Sequence, residues 1–290
     1  MKELRLLFLV LGWSMISHAE FRKWQDRTGS TLEAEYIKLI GDKVWVRDRE
    51  ETLHKLGLTG LSENDQLYLQ LQNPPEFRLK FKTEKLLIHK PETYAGSAQG
   101  AHGVKLENYY AGGGPGENAY ITRTDRPSYT CSIDVKRKDG KCYEHPLHLR
   151  VYWTSVKQYP PEEQQRLGRQ NAIVLKRQES KIFKPDTIEY GQSWVWDTDP
   201  ADFIRKERTW LTRHKKDDTS AGTVINGEQY WLKGKTILES DLYFGILVVV
   251  VDERGETLAM SSDKPKLEEI HQEVMQATLG QVLTGIDSHD

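Results

Sequence analysis

Leu242 to Val251 is a run of ten residues that reads apolar at both parities, interrupted only by Gly245. No other stretch constrains the fold as much. Successive side chains of a strand point to opposite faces, so a strand of this composition has no side to give to water and needs a layer on each face. The run is too short for a membrane-spanning helix, which takes about 20 residues. Its length suits a strand. Asp252-Glu253-Arg254-Gly255-Glu256 follows as a hairpin turn, and Thr257 and Ala259 return with lower hydrophobicity. Period-2 alternation recurs at Phe77, Leu79, Phe81, at Tyr129, Cys131, Ile133, Val135, and at Leu147, Leu149, Val151, Trp153. Short alternating strands separated by turn signals predict a mainly β chain whose larger part is an antiparallel β-sandwich.

Pro74-Pro75 sets the main boundary, because consecutive prolines favour extended backbone and forbid helix continuation. Residues 71–76 read as a linker between a small module over 20–70 and a large β region over 77–290. Residues 1–19 have a basic start, an apolar run from Leu6 to Ile16, and Ser17-His18-Ala19 before a cleavage point. That pattern predicts a secretory signal peptide cut near Ala19, hence a secreted or periplasmic protein. With Lys+Arg 41 against Asp+Glu 43, the chain lacks the positive excess a nucleic-acid binder uses to hold phosphates. No nucleic-acid partner and no membrane span are expected. Pro91 to Asn118, rich in glycine, reads as a long loop, and Tyr159 to Asn171 as a short exposed helix starting at Pro160-Pro161. Leu267, Ile270, Val274 and Leu279 predict one amphipathic C-terminal helix.

Within the small module, Leu32, Ala34 and Tyr36 alternate with glutamates, and Val44 and Val46 with Trp45 and Arg47, which predicts strands around a Gly41-Asp42-Lys43 turn. Ser62 is placed as a helix N-cap with Asp65 in the acidic capping-box position. The order Arg22-x-Trp24-x-Asp26-x-x-Gly29, Ala34-x-Tyr36, Val44-x-Val46 and Leu61-Ser62-x-x-Asp65 resembles the Sla-one homology domain. That resemblance implies a small Src-homology-like (SH3-like) barrel that binds short peptides, in an exported protein of planctomycete or verrucomicrobial type. The chain departs from the family pattern at Arg49-Glu50-Glu51, where an Asp-Gly hairpin is usual. More loosely, the strand ending at Arg137, the Lys138–Lys141 loop and the Leu147–Trp153 strand resemble immunoglobulin-like domains.

Motifs for chemistry are sparse. Gly234-Lys235-Thr236 ends like a phosphate-binding loop, but Gln229 stands where the earlier glycine belongs. His145 and His148 lack the helical spacing of a zinc site, and no Gly-x-Ser-x-Gly is present. No catalytic residue, metal ligand or cofactor site is predicted. Cys131 is either a buried core thiol or half of a bridge to Cys142 in an oxidising compartment. Trp194 and Trp196 share one strand face, as buried core rings or as a platform for stacking sugars. The resulting expectation is a non-enzymatic exported binding or adaptor protein of the cell envelope, with a protein, peptide or glycan as partner. The alternatives are a carbohydrate-binding β-sandwich and an envelope hydrolase whose site is scattered in sequence.

Overall fold

The computed structural model describes residues 21–86, 92–97, 103–106, 109–112, 118–213, 223–225 and 228–286. The predicted signal peptide lies outside the described residues. The chain folds as two compact units divided between Pro74 and Pro75. Among the described residues no helix is long and apolar enough to cross a membrane.

The N-terminal unit is an antiparallel meander of β1 (Phe21–Gln25), β2 (Thr31–Ile40), β3 (Lys43–Asp48) and β4 (Leu53–Gly57), followed by α1 (Glu63–Gln72). Asp26 caps the β1–β2 turn by accepting from the Thr28 N–H and the Ser30 N–H, both at 2.9 Å. Gly29 sits in that turn at φ 91°, a conformation that disfavours a side chain. The chain after β4 returns to β1 through an Asp26–Leu61 bridge and a Ser62 N–H to Gln25 C=O bond of 2.8 Å, which closes the meander on itself. Trp24, Ala34, Val44, Val46, Leu61 and Leu69 fill the interior. At Arg49-Glu50-Glu51 the turn places Glu51 at φ 62°, the left-handed region where glycine would be unstrained. Asp48 holds this turn through the Glu50 and Thr52 N–H groups.

The C-terminal unit is also mainly β and antiparallel. In chain order its strands and helices are β5 (Phe77–Leu86), β6 (Glu92–Ser97), β7 (Gly103–Leu106), β8 (Tyr109–Gly112), β9 (Asn118–Asp125), β10 (Ser128–Arg137), β11 (Leu147–Gln158), α2 (Pro161–Leu167), β12 (Asn171–Phe183), β13 (Ser193–Asp197), β14 (Ala201–Asp202), β15 (Ile204–Arg213), β16 (Thr223–Ile225), β17 (Glu228–Val251), β18 (Thr257–Ser262), α3 (Pro265–Glu269) and α4 (His271–Gln276). A smaller sheet centres on β10, with β5 along one side and β13 and β14 along the other. A larger sheet runs β12-β11-β17-β15-β9-β6, and β16 and β18 also pair with β17. Rings join the two sheets: Tyr129 of β10 stacks on Tyr243 of β17 at 4.6 Å, and Phe77 of β5 meets Phe183 of β12 edge-on at 5.9 Å.

Leu242 to Val251 is the second half of β17, as its composition requires. Leu247, Val249 and Val251 face a cluster with Leu267, Val274, Leu283 and Ile286 from the C-terminal segment. Ile246, Val248 and Val250, at the opposite parity, are likewise buried. The exposed helix at Pro161 forms as α2. Two expectations are corrected. The stretch from Pro91 to Asn118 is not loop throughout, because β6 pairs with β9 and β7 with β8. The single C-terminal helix is instead two short ones that break at Ile270, and Leu279 lies past them, 66% exposed. Beyond α4 the chain runs along the outer edge of β12, where the Leu283 N–H meets the Ile173 C=O at 2.9 Å and Val282 bridges Val174.

Glu273 fastens that last segment by accepting from the Thr284 N–H, the Thr284 hydroxyl and the Gly285 N–H. Burial works to raise its carboxyl, and these donors outweigh it, so the group sits below its ordinary value. A carboxyl depressed in the folded state contributes stability that is complete above its unfolded pKa and lost as pH falls through the folded one. Amide-exchange protection at Leu283 is therefore expected to drop below about pH 4 while that of Val249 persists. Equal protection at Leu283 from pH 6 to pH 3 would contradict this role for Glu273.

Candidate functional site

Eight of the residues that carry the Sla-one resemblance, Arg22, Trp24, Asp26, Gly29, Ala34, Leu61, Ser62 and Asp65, have internal duties, and Val44 and Val46 lie in the same core. Trp24 is 1% exposed, its indole N–H donates to the Ala34 C=O at 2.9 Å, and its ring meets Tyr68 edge-on. Asp65, 2% exposed, is the hub: its carboxylate accepts from Arg22 Nε at 2.8 Å, from the Gln25 N–H at 2.7 Å and from the Ser62 hydroxyl at 2.9 Å. Ser62 is the N-cap, receiving the Asp65 N–H at 3.3 Å. The Arg22 guanidinium lies 4.2 Å from the centroid of Tyr68. Asp26 and Gly29 shape the first turn, and Ala34 and Leu61 are core. This set locks α1 against β1 and leaves little of itself for a ligand.

The opposite side of the meander is different. Along β3, Val44 and Val46 point inward, so Lys43, Trp45 and Arg47 point out. Register aligns Lys38 of β2, Trp45 of β3 and Lys55 of β4 in one row across the sheet. The Lys55 ammonium stands 4.3 Å from the Trp45 ring centroid and the Lys38 ammonium 5.5 Å. Neutralised cations flank the row: Arg47 pairs with Glu35, and Lys43 with Asp42 at 3.2 Å. Among the described residues Lys38 and Lys55 have no carboxylate partner. Ile40 and Leu53, 54% and 55% exposed, add apolar surface. This outward face thus pairs an indole with two uncompensated ammoniums. The signal lies in the sequence, since a tryptophan on the polar phase of an amphipathic strand is out of place, but alternation alone does not show what flanks Trp45 across the sheet.

In the C-terminal unit the cysteine bridge is not formed. Cys131 is fully buried in the middle of β10, whereas Cys142 is exposed. Cys142 follows Lys141, whose C=O accepts from Arg137 at the end of β10. Arg137 lies six strand positions beyond Cys131, about 20 Å, against the 7 Å that a bridge allows between Cα atoms. Burial pushes the Cys131 thiol up to about 12, so it stays protonated. In native protein, iodoacetamide is expected to alkylate Cys142 alone, with Cys131 reacting only after denaturation. Peptide mass mapping that found Cys131 labelled first would contradict its placement.

Trp194 and Trp196 share one face of β13, opposite Val135 and Ile133, and both are half-buried. The ring of Trp194 stacks on Phe183 at 4.9 Å and 21°. That ring is part of the packing between the sheets. His145 pairs with Glu253 at 2.6 Å, away from any metal-like group, and among the described residues no cluster of three His, Cys, Asp or Glu side chains is arranged to hold a metal ion. No family model, curated protein or solved structure matches this chain.

Proposed function

We propose that this is an exported binding protein of the cell envelope whose N-terminal unit docks an acidic segment of a partner protein. The observation that carries this reading is the Lys38–Trp45–Lys55 row. Two ammoniums on either side of an indole suit an apolar residue flanked by carboxylates: the acids pair with the lysines and the apolar side chain covers the ring edge. Strands lie about 4.8 Å apart, so Lys38 and Lys55 are about 10 Å apart across the row, the reach of three residues of extended peptide. The internal lock of Arg22, Trp24 and Asp65 supports the same reading, because it makes a rigid platform without occupying the outer face. The resemblance to the Sla-one homology domain agrees with a peptide partner, and the leader-like residues 1–19 with export.

Calorimetric titration of the full chain with a peptide of one Phe flanked by Glu residues tests this. Binding is expected, with Trp45→Ala and the Lys38→Glu, Lys55→Glu double variant each weakening it by about tenfold or more. A Lys-flanked peptide that bound as well as the Glu-flanked one would overturn the proposal.

A further inference from the structure

A second site lies in the C-terminal unit, where two strands change sheets side by side. β9 belongs to the larger sheet and β10 to the smaller, and Arg126-Pro127 alone joins them. β14 and β15 make the reverse crossing through the single residue Phe203. The two corners are fastened to each other: the Phe203 N–H donates to the Pro127 C=O at 2.9 Å, and the Ser128 hydroxyl donates to the Asp202 carboxylate. Phe203, 1% exposed, packs edge-on against both Tyr129 and Tyr243. The backbone here is held from two sides, so side chains leaving it start from fixed positions.

Beside the corners is a cleft of about 420 Å³, within the range of small-ligand sites. Its lining includes four cations, Lys85, Arg123, Arg126 and Arg205, and one carboxylate, Asp125. Arg123 is paired with Asp125 at 3.1 Å and Arg205 with Glu207. Lys85 and Arg126 are exposed and have no carboxylate partner among the described residues. The apolar part of the lining comes from Leu86, Pro127, Leu242 and the stacked pair of Tyr129 and Tyr243, whose planes meet at 18°. The Tyr243 hydroxyl is already committed to Asp263. Like charges converge here on an apolar surface with one acid in the lining among the described residues, and guanidinium forks match the geometry of carboxylate, sulfate and phosphate oxygens.

We infer that this cleft is a binding site for a small ligand that carries an oxyanion on a ring or other flat apolar body. The oxyanion is held between Lys85 and Arg126, and the body lies against Pro127 and the tyrosine pair. This site is independent of the acidic-segment face on the N-terminal unit, and neither depends on the other.

Titration of the full chain with phenyl phosphate and with benzoate, followed by calorimetry, tests the inference. At least one is expected to saturate, and whichever binds tighter names the oxyanion. Benzyl alcohol, which has the ring without the charge, and inorganic phosphate, which has the charge without the ring, are each expected to bind about tenfold more weakly or worse. Lys85→Glu and Arg126→Glu are expected to weaken the aryl anion by about tenfold each, with unchanged melting temperature, because neither side chain holds another described group. No saturation by either aryl anion at about 10 mM, or equal binding by both charge-reversed variants, would overturn the site. So would benzyl alcohol binding as tightly as phenyl phosphate. Trp45→Ala is expected to leave this binding unchanged, which separates it from the peptide reading.

Discussion

Asp65→Ala is expected to unfold the N-terminal unit while the C-terminal unit stays folded. Alanine at this position strands the Gln25 N–H, the Ser62 hydroxyl and the Arg22 guanidinium, and removes the acid from the first turn of α1. Orphaned donors, a broken part-buried ion pair and the lost acid at the start of α1 together cost about 3 kcal/mol. The largest figures for broken buried pairs do not apply, since the Arg22 side chain is 32% exposed and can rehydrate. A unit of this size holds only about 3 to 8 kcal/mol in total, so the loss takes from about 40% to all of it, and over the lower part of that range the unit unfolds. The indole N–H resonance of Trp24, bonded to the Ala34 C=O in the native state, reports this unit specifically. It should move to its unfolded position in the variant, with the amides of β17 still protected. Asp65→Asn keeps an acceptor for the Gln25 N–H and should lose less. A Trp24 signal unchanged in Asp65→Ala, with the same denaturation midpoint, would show that the hub is dispensable.

Gly245→Val is the corresponding lesion in the C-terminal unit. A Cβ at this position would lie 2.7 Å from Lys264 Cγ, 2.8 Å from Asp263 Oδ1 and 3.1 Å from Leu267 Cδ1. Asp263 cannot step aside freely, because it accepts the Ile246 N–H at 2.8 Å and the Tyr243 hydroxyl. Relief requires pushing the turn before α3 off the sheet, which pulls Leu267 from the core. Overpacking of this kind plus the lost hydrogen bonds amounts to about 3 kcal/mol. For a unit of this length that is about 6 to 12 °C in melting temperature. Gly140, where an added Cβ meets nothing within 4 Å, is the control, and Gly140→Ala should change stability by less than about 0.5 kcal/mol. Equal melting of the two variants would mean that the α3 turn yields without cost.

What could be read from the sequence followed from strong local signals. The doubly apolar Leu242–Val251 run, the proline start of α2 and the Ser62–Asp65 capping pair each state a local requirement that tertiary context did not override. The stretch over 91–118 misled because glycine-rich composition reads as turn, whereas β6 is made by its pairing with β9. Leu279 fits the apolar period of a helix, but the helix stops at Gln276, and Leu283 and Ile286 are buried in its stead. Ten intervening residues made a Cys131–Cys142 bridge conceivable, yet a strand converts such spacing into length. The aryl-anion cleft was out of reach altogether: Lys85, the Arg123–Arg126 segment and Arg205 come from three separate parts of the chain, gathered only because two connections cross between sheets at one corner. The Trp45 row needed register, which no single strand reveals.

The segment after α4 also matters for how the molecule is made. β12 is covered on one side by β11 and on the other by residues 280–283, which exchange backbone bonds with Ile173 and Leu175. Residues 280–283 are synthesised about a hundred residues after β12. Throughout that interval the growing polypeptide carries a bare strand edge of the kind that recruits neighbouring chains. Copies folding close together would offer several such edges at once, so the speed with which residues 280–283 dock on β12 should govern how much of the protein escapes aggregation.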